Sequence, residues 1–136
     1  MRTRIPPVLL AITVLSLAVM AQTGAEPAAP ARSQDETVSL GYMHTVISAQ
    51  KVFKKKYGHY ATSLAELVHS GSFTKRMATT DRGAYRVGFR GKPTGYSLSL
   101  IPKQFDPDHR AFYADETGKI RVEEDRAATA ESPLLK

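Results

Sequence analysis

The polar and apolar positions between residues 36 and 57 repeat with the period of an α-helix. Apolar side chains, three of them aromatic, recur every three or four residues: Tyr42, Val46, Ala49, Phe53 and Tyr57. This spacing places them on one face of a helix of about five turns, with lysines on the opposite face. Gly58 follows, and glycine is the residue that most readily adopts the left-handed conformation at a helix C-terminus. The pattern therefore predicts a long amphipathic helix that ends near Tyr57.

A second, shorter helix is predicted by a capping box. Ser63 and Glu66 are three residues apart, the spacing at which a serine hydroxyl and a glutamate carboxylate each pair with an unpaired backbone N–H group at a helix start. The helix is expected from Leu64 to His69, and Gly71 ends it.

Downstream of residue 80 the period changes, because apolar and polar side chains alternate as they do in half-buried β-strands. The first two predicted strands carry an inward row consisting of Tyr85, Val87, Phe89, Tyr96, Leu98 and Leu100. Two further strands are expected at residues 111–114 and 119–122, with Gly118 suited to the turn between them. The simplest solution is an α+β fold in which a long N-terminal amphipathic helix packs on a four-stranded antiparallel sheet.

The first 25 residues match a secretory signal peptide. A short basic start precedes a nearly continuous apolar run from Val8 to Ala21, and the small residues Ala21 and Ala25 suit cleavage. The run is shorter than the roughly 20 residues that cross a bilayer as a helix. We therefore favour cleavage after Ala21 or Ala25 over the alternative of an uncleaved anchor, and we expect a periplasmic or secreted protein that meets the membrane only transiently, during export.

The two flanks of the predicted domain are expected to be loosely ordered. Residues 26–35 are rich in alanine and proline, lack large apolar residues and are expected to form a flexible leader. Residues 126–136 are expected to form a disordered tail, with Leu134 and Leu135 as the two residues suited to docking on the domain. A single domain is left over residues 36–125. It contains no internal repeat.

Charge and composition exclude several classes of protein. The chain has 19 basic and 13 acidic residues, and loss of Arg2 and Arg4 with the signal peptide would leave a net charge of +4. This moderate excess differs from the concentrated basic stripe of a dedicated nucleic-acid binder, so no specific nucleic acid is expected as a partner. The absence of cysteine excludes disulfides, thiolate metal sites and cysteine nucleophiles.

Carboxylates and histidines are the remaining candidates for catalysis or metal binding. The chain has four histidines, His44, His59, His69 and His109. Their spacing along the chain is not that of a metal-binding motif. A small hydrolase or a hard-cation site would have to draw on Asp106, Asp108, His109 and Asp115, with Glu116. Aspartate–proline pairs are also ordinary turn formers, and we favour that interpretation. No catalytic residue, metal or cofactor is predicted.

A basic cluster near the end of the long helix is the other candidate site. Lys51, Lys54, Lys55 and Lys56 lie close to Tyr57 and Tyr60, and ammonium groups beside aromatic rings can bind an anionic polymer. The alternative is a solvated helix face, with the tyrosine rings buried at the junction of helix and sheet.

Three segments together resemble type IV pilin-like and type II secretion pseudopilin-like proteins. They are AQKVFKKKYGHYATSLAEL (Ala49 to Leu67), GYSLSLIP (Gly95 to Pro102) and AFYADETGKIR (Ala111 to Arg121). The resemblance covers about residues 38–122 and implies a helix laid across an antiparallel sheet, with a non-catalytic role in a cell-surface or secretion apparatus. Pilins also carry a basic leader that ends in glycine and a glutamate before a long apolar anchor. That pattern does not occur here, so we expect a soluble accessory or adaptor domain.

These observations predict an exported, non-enzymatic pilin-like domain that acts as a structural or interaction module. Its expected partner is a protein of the envelope or secretion apparatus, such as another pilin-like protein. The alternative is an extracytoplasmic module that binds an anionic polymer through Lys51, Lys54, Lys55 and Lys56.

Overall fold

A computed structural model of the chain describes residues 31–71 and 73–136. The predicted signal peptide lies outside the described residues. In chain order the elements are helices α1 (Gln34–Tyr57) and α2 (Leu64–Leu67), two 3-10 turns (Val68–Ser70 and Lys75–Ala78), and strands β1 (Asp81–Arg82), β2 (Tyr85–Lys92), β3 (Gly95–Pro102), β4 (Ala111–Asp115) and β5 (Ile120–Glu123). The strands form one antiparallel sheet in the order β1-β2-β3-β4-β5, so the fold is α+β.

Helix α1 begins and ends at residues suited to those positions. The Ser33 hydroxyl accepts a hydrogen bond from the backbone N–H of Glu36 at 3.2 Å, which satisfies one of the free donors of the first turn. At the other end Gly58 has φ of 81°, and its N–H donates to the Lys54 carbonyl at 2.8 Å. The predicted end of the helix is thus confirmed, whereas its start lies within the segment expected to be a flexible leader.

One face of α1 packs on one face of the sheet. The buried helix residues are Tyr42, Met43, Val46, Ile47, Ala49, Gln50 and Phe53, and the buried strand residues in contact with this core include Tyr85, Val87, Leu98, Leu100, Phe112, Ala114 and Ile120. The inward residues follow the strand register, in which Leu100 lies opposite both Val87 and Phe112. Tyr57 is the exception to the predicted stripe, because it lies at the helix end and remains 42% exposed.

The capping box at the start of α2 forms with a small difference. The Ser63 hydroxyl accepts from the Glu66 N–H at 3.1 Å, as predicted. The Glu66 carboxylate, however, accepts from the backbone N–H of Thr62 at 2.6 Å, one residue before the cap. The preceding loop lies directly over β2, where a Cβ atom on Gly91 would come within 2.5 Å of the Thr62 Cα. Only glycine permits this approach without displacing backbone.

The sheet has five strands instead of the four expected. The additional strand, β1, contains two polar residues and pairs with the start of β2 through a tight turn at Gly83, which has φ of 65°. Two residues are too few to show an alternating pattern, so the sequence contained no periodic signal for this strand.

Residues 126–136, expected to be a disordered tail, lie along the free edge of β5. The Val122 N–H donates to the Pro133 carbonyl at 2.9 Å, and the Leu135 N–H donates to the Ile120 carbonyl at 2.9 Å. Ala128 and Ser132 are buried, and Leu135 packs against the core. This segment, which has few large apolar residues, therefore covers an edge of the sheet.

Among the described helices, none is long and apolar enough to cross a membrane.

Candidate functional site

The first turn of α1 meets the loop between β3 and β4, and this contact brings together some of the residues considered for hydrolysis. His109 Nδ1 lies 2.8 Å from one Asp106 carboxylate oxygen, and His109 Nε2 lies 3.3 Å from a carboxylate oxygen of Asp35. The Asp108 backbone carbonyl accepts a hydrogen bond from the Ser33 hydroxyl at 2.8 Å. Asp35, which the sequence did not single out, thus completes a cluster of two carboxylates around one imidazole.

Asp115 does not join this cluster. It lies at the opposite end of β4, and its carboxylate accepts hydrogen bonds from the backbone N–H and the hydroxyl of Thr117 within the β4–β5 turn. The acidic set considered for a hydrolase is therefore split between the two ends of the sheet. Within the described part of the chain, no group of three or more histidine, aspartate or glutamate side chains could hold a metal ion.

The carboxylates around His109 change the pKa of its imidazole. Hydrogen bonds to Asp106 and then to Asp35 raise the pKa of the His109 imidazole, because both carboxylates favour its charged form. The same contact with His109 lowers the pKa of Asp106. When the imidazole is protonated, it pairs with both carboxylates, and this cluster of Asp35, Asp106 and His109, here called the latch, connects α1 to the β3–β4 loop.

We predict that this latch makes stability depend weakly on pH. The pKa of His109 is higher in the folded state than in the unfolded state. Its contribution to the free energy of unfolding is therefore complete below the unfolded pKa of about 6.5, and it is lost as the pH rises through the higher folded value. His109→Asn is therefore expected to lower the free energy of unfolding by roughly 0.5 kcal/mol near pH 6, since the pair is partly solvated, and by less near pH 8.5. Urea unfolding at both pH values measures the difference, with His44→Asn as the exposed control. An equal effect at both pH values would contradict it.

A buried ion pair lies beside the latch. The Glu36 side chain is fully buried and that of Arg110 is 6% exposed. One Glu36 oxygen accepts from the backbone N–H of Arg110 at 2.9 Å and from its Nε at 3.0 Å. The other oxygen accepts from Arg110 Nη2 and from the backbone N–H of Arg32, both at 2.8 Å. Four donors thus converge on one carboxylate.

The hydrogen bonds decide the protonation of Glu36. Burial by itself would raise the pKa of the carboxyl group, but the hydrogen bonds from Arg110 and Arg32 outweigh it, so the pKa is lowered and the group is ionised. The Tyr85 hydroxyl extends the network by donating to the Arg110 carbonyl at 2.9 Å. Because these groups bind one another, the network positions α1 on the sheet.

The four lysines near the end of α1 are all exposed, but they do not form one surface. Lys54 Nζ lies 4.4 Å from the centre of the Tyr60 ring, and Lys56 Nζ lies 5.0 Å from the centre of the Tyr57 ring. The side chain of Lys51 reaches towards Gly118 in the β4–β5 turn. At 100° per residue, Lys51, Lys54 and Lys55 share one side of the helix and Lys56 lies away from them.

The outward face of α1 carries an apolar feature that the sequence interpretation missed. Val38 and Val52 are 56% and 51% exposed on the side of the helix for which only the lysines were considered. Gly41, Thr45 and Ser48 lie between them on the same face. A shallow pocket of about 330 Å³ borders this face, lined by His44, Thr45, Ser48, Ala49, Val52 and Ser70. The sequence signal for this feature was the presence of two valines, Val38 and Val52, at helix positions outside the predicted apolar stripe.

Comparisons with known proteins did not extend these observations. No protein-family model, no curated protein and no solved structure matches this chain.

Proposed function

We propose that this chain is an exported, non-enzymatic, pilin-like domain that serves as an interaction module of a cell-envelope or secretion apparatus. The observation that supports this most directly is the outward face of α1, where Val38 and Val52 stay exposed. The two side chains lie fourteen residues apart, roughly 21 Å along the helix axis, so they mark the two ends of one helix face.

The spacing on this face suits a helix of the partner. Val38, Thr45 and Val52 are seven residues apart, as are Gly41 and Ser48. Two such rows, offset by three and four residues, have the spacing of the seam along which a second helix packs, with valine at both ends of it. The glycine and serine allow that helix to approach closely. A partner with its own long exposed helix, such as another pilin-like protein of the envelope, meets these requirements.

Site-specific photo-crosslinking tests the proposal in cells that produce the protein. A photoreactive amino acid at position 38 or 52 is expected to give one discrete adduct, whereas the same group at the exposed positions Thr62 and Thr117 gives none. Adding Thr45→Asp is expected to abolish the adduct at position 52, because a charge would be buried in the seam. Equal adducts at all four positions, or none at any, would overturn the proposal.

A second candidate function is binding of an anionic polymer by the lysines of α1. It is favoured by Lys54, whose ammonium group lies against the Tyr60 ring, and by the exposed Tyr57 ring beside Lys56. Dextran sulfate is a suitable probe. If this function holds, Lys51→Ala, Lys54→Ala and Lys55→Ala together weaken binding and flatten its salt dependence, whereas Lys75→Ala, Lys92→Ala and Lys119→Ala do not. Equal effects from both triple variants would exclude it.

A further inference from the structure

The edge of β5 holds a strand that the chain supplies from its own C-terminus. Arg121 lies opposite Leu134 in an antiparallel bridge, with a backbone hydrogen bond on each side of that pair. The Arg121 guanidinium also donates to the Ser132 carbonyl at 2.7 Å. Glu123 accepts a hydrogen bond from the Ser132 hydroxyl at 2.8 Å. The edge of β5 is therefore a formed strand-binding site, and the sequence that fits it is that of residues 132–135.

The pairing between this segment and β5 is short. Only Pro133 and Leu135 bond to the β5 backbone, and Pro133 has no N–H to donate. Leu134 stays 42% exposed, whereas Ser132 is buried and Leu135 packs against the core. With two backbone hydrogen bonds and one apolar anchor, such a strand is expected to open at less than the free energy of global unfolding.

The segment is joined to β5 by residues 124–131, most of which are exposed. Eight residues span up to roughly 26 Å when extended, enough to reach a neighbouring molecule. Every contact that the segment makes with its own β5 is available to the same segment of another copy. The competing intramolecular contact has an effective concentration on the order of millimolar, so exchange requires a comparable local density of chains.

We propose that β5 also accepts residues 132–135 of a second copy of this chain, so that adjacent copies exchange C-terminal strands where they are concentrated. This surface is distinct from the outward face of α1, and the proposal does not depend on the partner proposed there. The alternative in which the segment never leaves its own β5 is an outcome of the test below.

Engineered cysteines test the exchange in the full chain, which has none of its own. Arg121 and Leu134 form a pair without direct backbone hydrogen bonds between them, the arrangement in which Cβ atoms lie close enough for a disulfide. The double variant Arg121→Cys/Leu134→Cys is expected to close within one chain. A mixture of the two single variants at near-millimolar concentration is expected to form a mixed disulfide dimer.

The control mixture combines Arg121→Cys with Thr62→Cys, an exposed position away from β5. The Arg121/Leu134 dimer should exceed the control dimer at least about tenfold, and the excess should fall on dilution as the intramolecular contact wins. Equal dimer yields in the two mixtures would overturn the proposal. So would intramolecular closure of the double variant without any mixed dimer from the single variants, because the segment would then remain on its own β5. Failure of the double variant to close would overturn the pairing itself.

Discussion

Glu36→Ala is expected to lower the free energy of unfolding by about 3–5 kcal/mol, measured by urea unfolding near neutral pH. The substitution removes the carboxylate that pairs with the buried Arg110 guanidinium, and it removes the acceptor of two backbone N–H groups. The loss should shrink as the pH falls. The pKa of Glu36 is lower in the folded state than in the unfolded state. Its contribution to the free energy of unfolding is therefore complete above the unfolded pKa of about 4.5, and it is lost as the pH falls through the lower folded pKa.

Two further variants separate the buried charge from the loss of side-chain volume. Glu36→Leu/Arg110→Met removes both charges, so it is expected to be more stable than Glu36→Leu alone. Asp81→Ala breaks an ion pair with Lys103 that lies in solvent, and it should change stability little. If Glu36→Ala behaved like Asp81→Ala, the buried pair would not hold α1 to the sheet.

Gln50→Leu is expected to cost about 2–5 kcal/mol, although it places an apolar side chain of similar size in an apolar core. The Gln50 amide donates to the Ala61 carbonyl at 3.0 Å and accepts from the Ala61 N–H at 2.9 Å. Both residues are fully buried. Leucine would leave two backbone groups buried without partners. Urea unfolding gives the loss, and hydrogen exchange at the Ala61 amide should accelerate.

Gln104→Leu is the matched control, because this glutamine is exposed and should tolerate the change. Gln50→Glu provides a finer test. Its carboxylate can accept from the Ala61 N–H but cannot donate to the Ala61 carbonyl, so the variant should recover in part when the carboxyl group is protonated at low pH. A neutral effect of Gln50→Leu would show that the loop does not depend on this amide.

The elements that were predicted from sequence are those whose signals are local and periodic. The stripe from Tyr42 to Phe53 identified α1, and Gly58 marked its end because a single residue type suits that conformation. The alternation from Tyr85 to Leu100 identified β2 and β3. The pilin-like resemblance, the export signal and the function remain predictions.

The features that were missed depend on partners far away in the chain. Glu36 and Arg110 are 74 residues apart, and nothing near either residue indicates that the other will neutralise it. The order of the C-terminal segment comes from the backbone of β5 and from Leu135, one of the two leucines considered for docking, which packs against the core. Of the candidate hydrolase residues, Asp106 and His109 do meet, but through a turn and its contact with α1. Asp115 is separated from them by the length of β4.

The strand order has a consequence for the kinetics of folding. Each strand pairs with its neighbour in sequence, so every hairpin closes a short loop at low entropic cost. Glu36 reaches Arg110 only by closing a far longer loop. The hairpins are therefore expected to be formed in the transition state for folding, with α1 docking after it. Loss of the Glu36–Arg110 pair would then accelerate unfolding and leave the rate of refolding nearly unchanged.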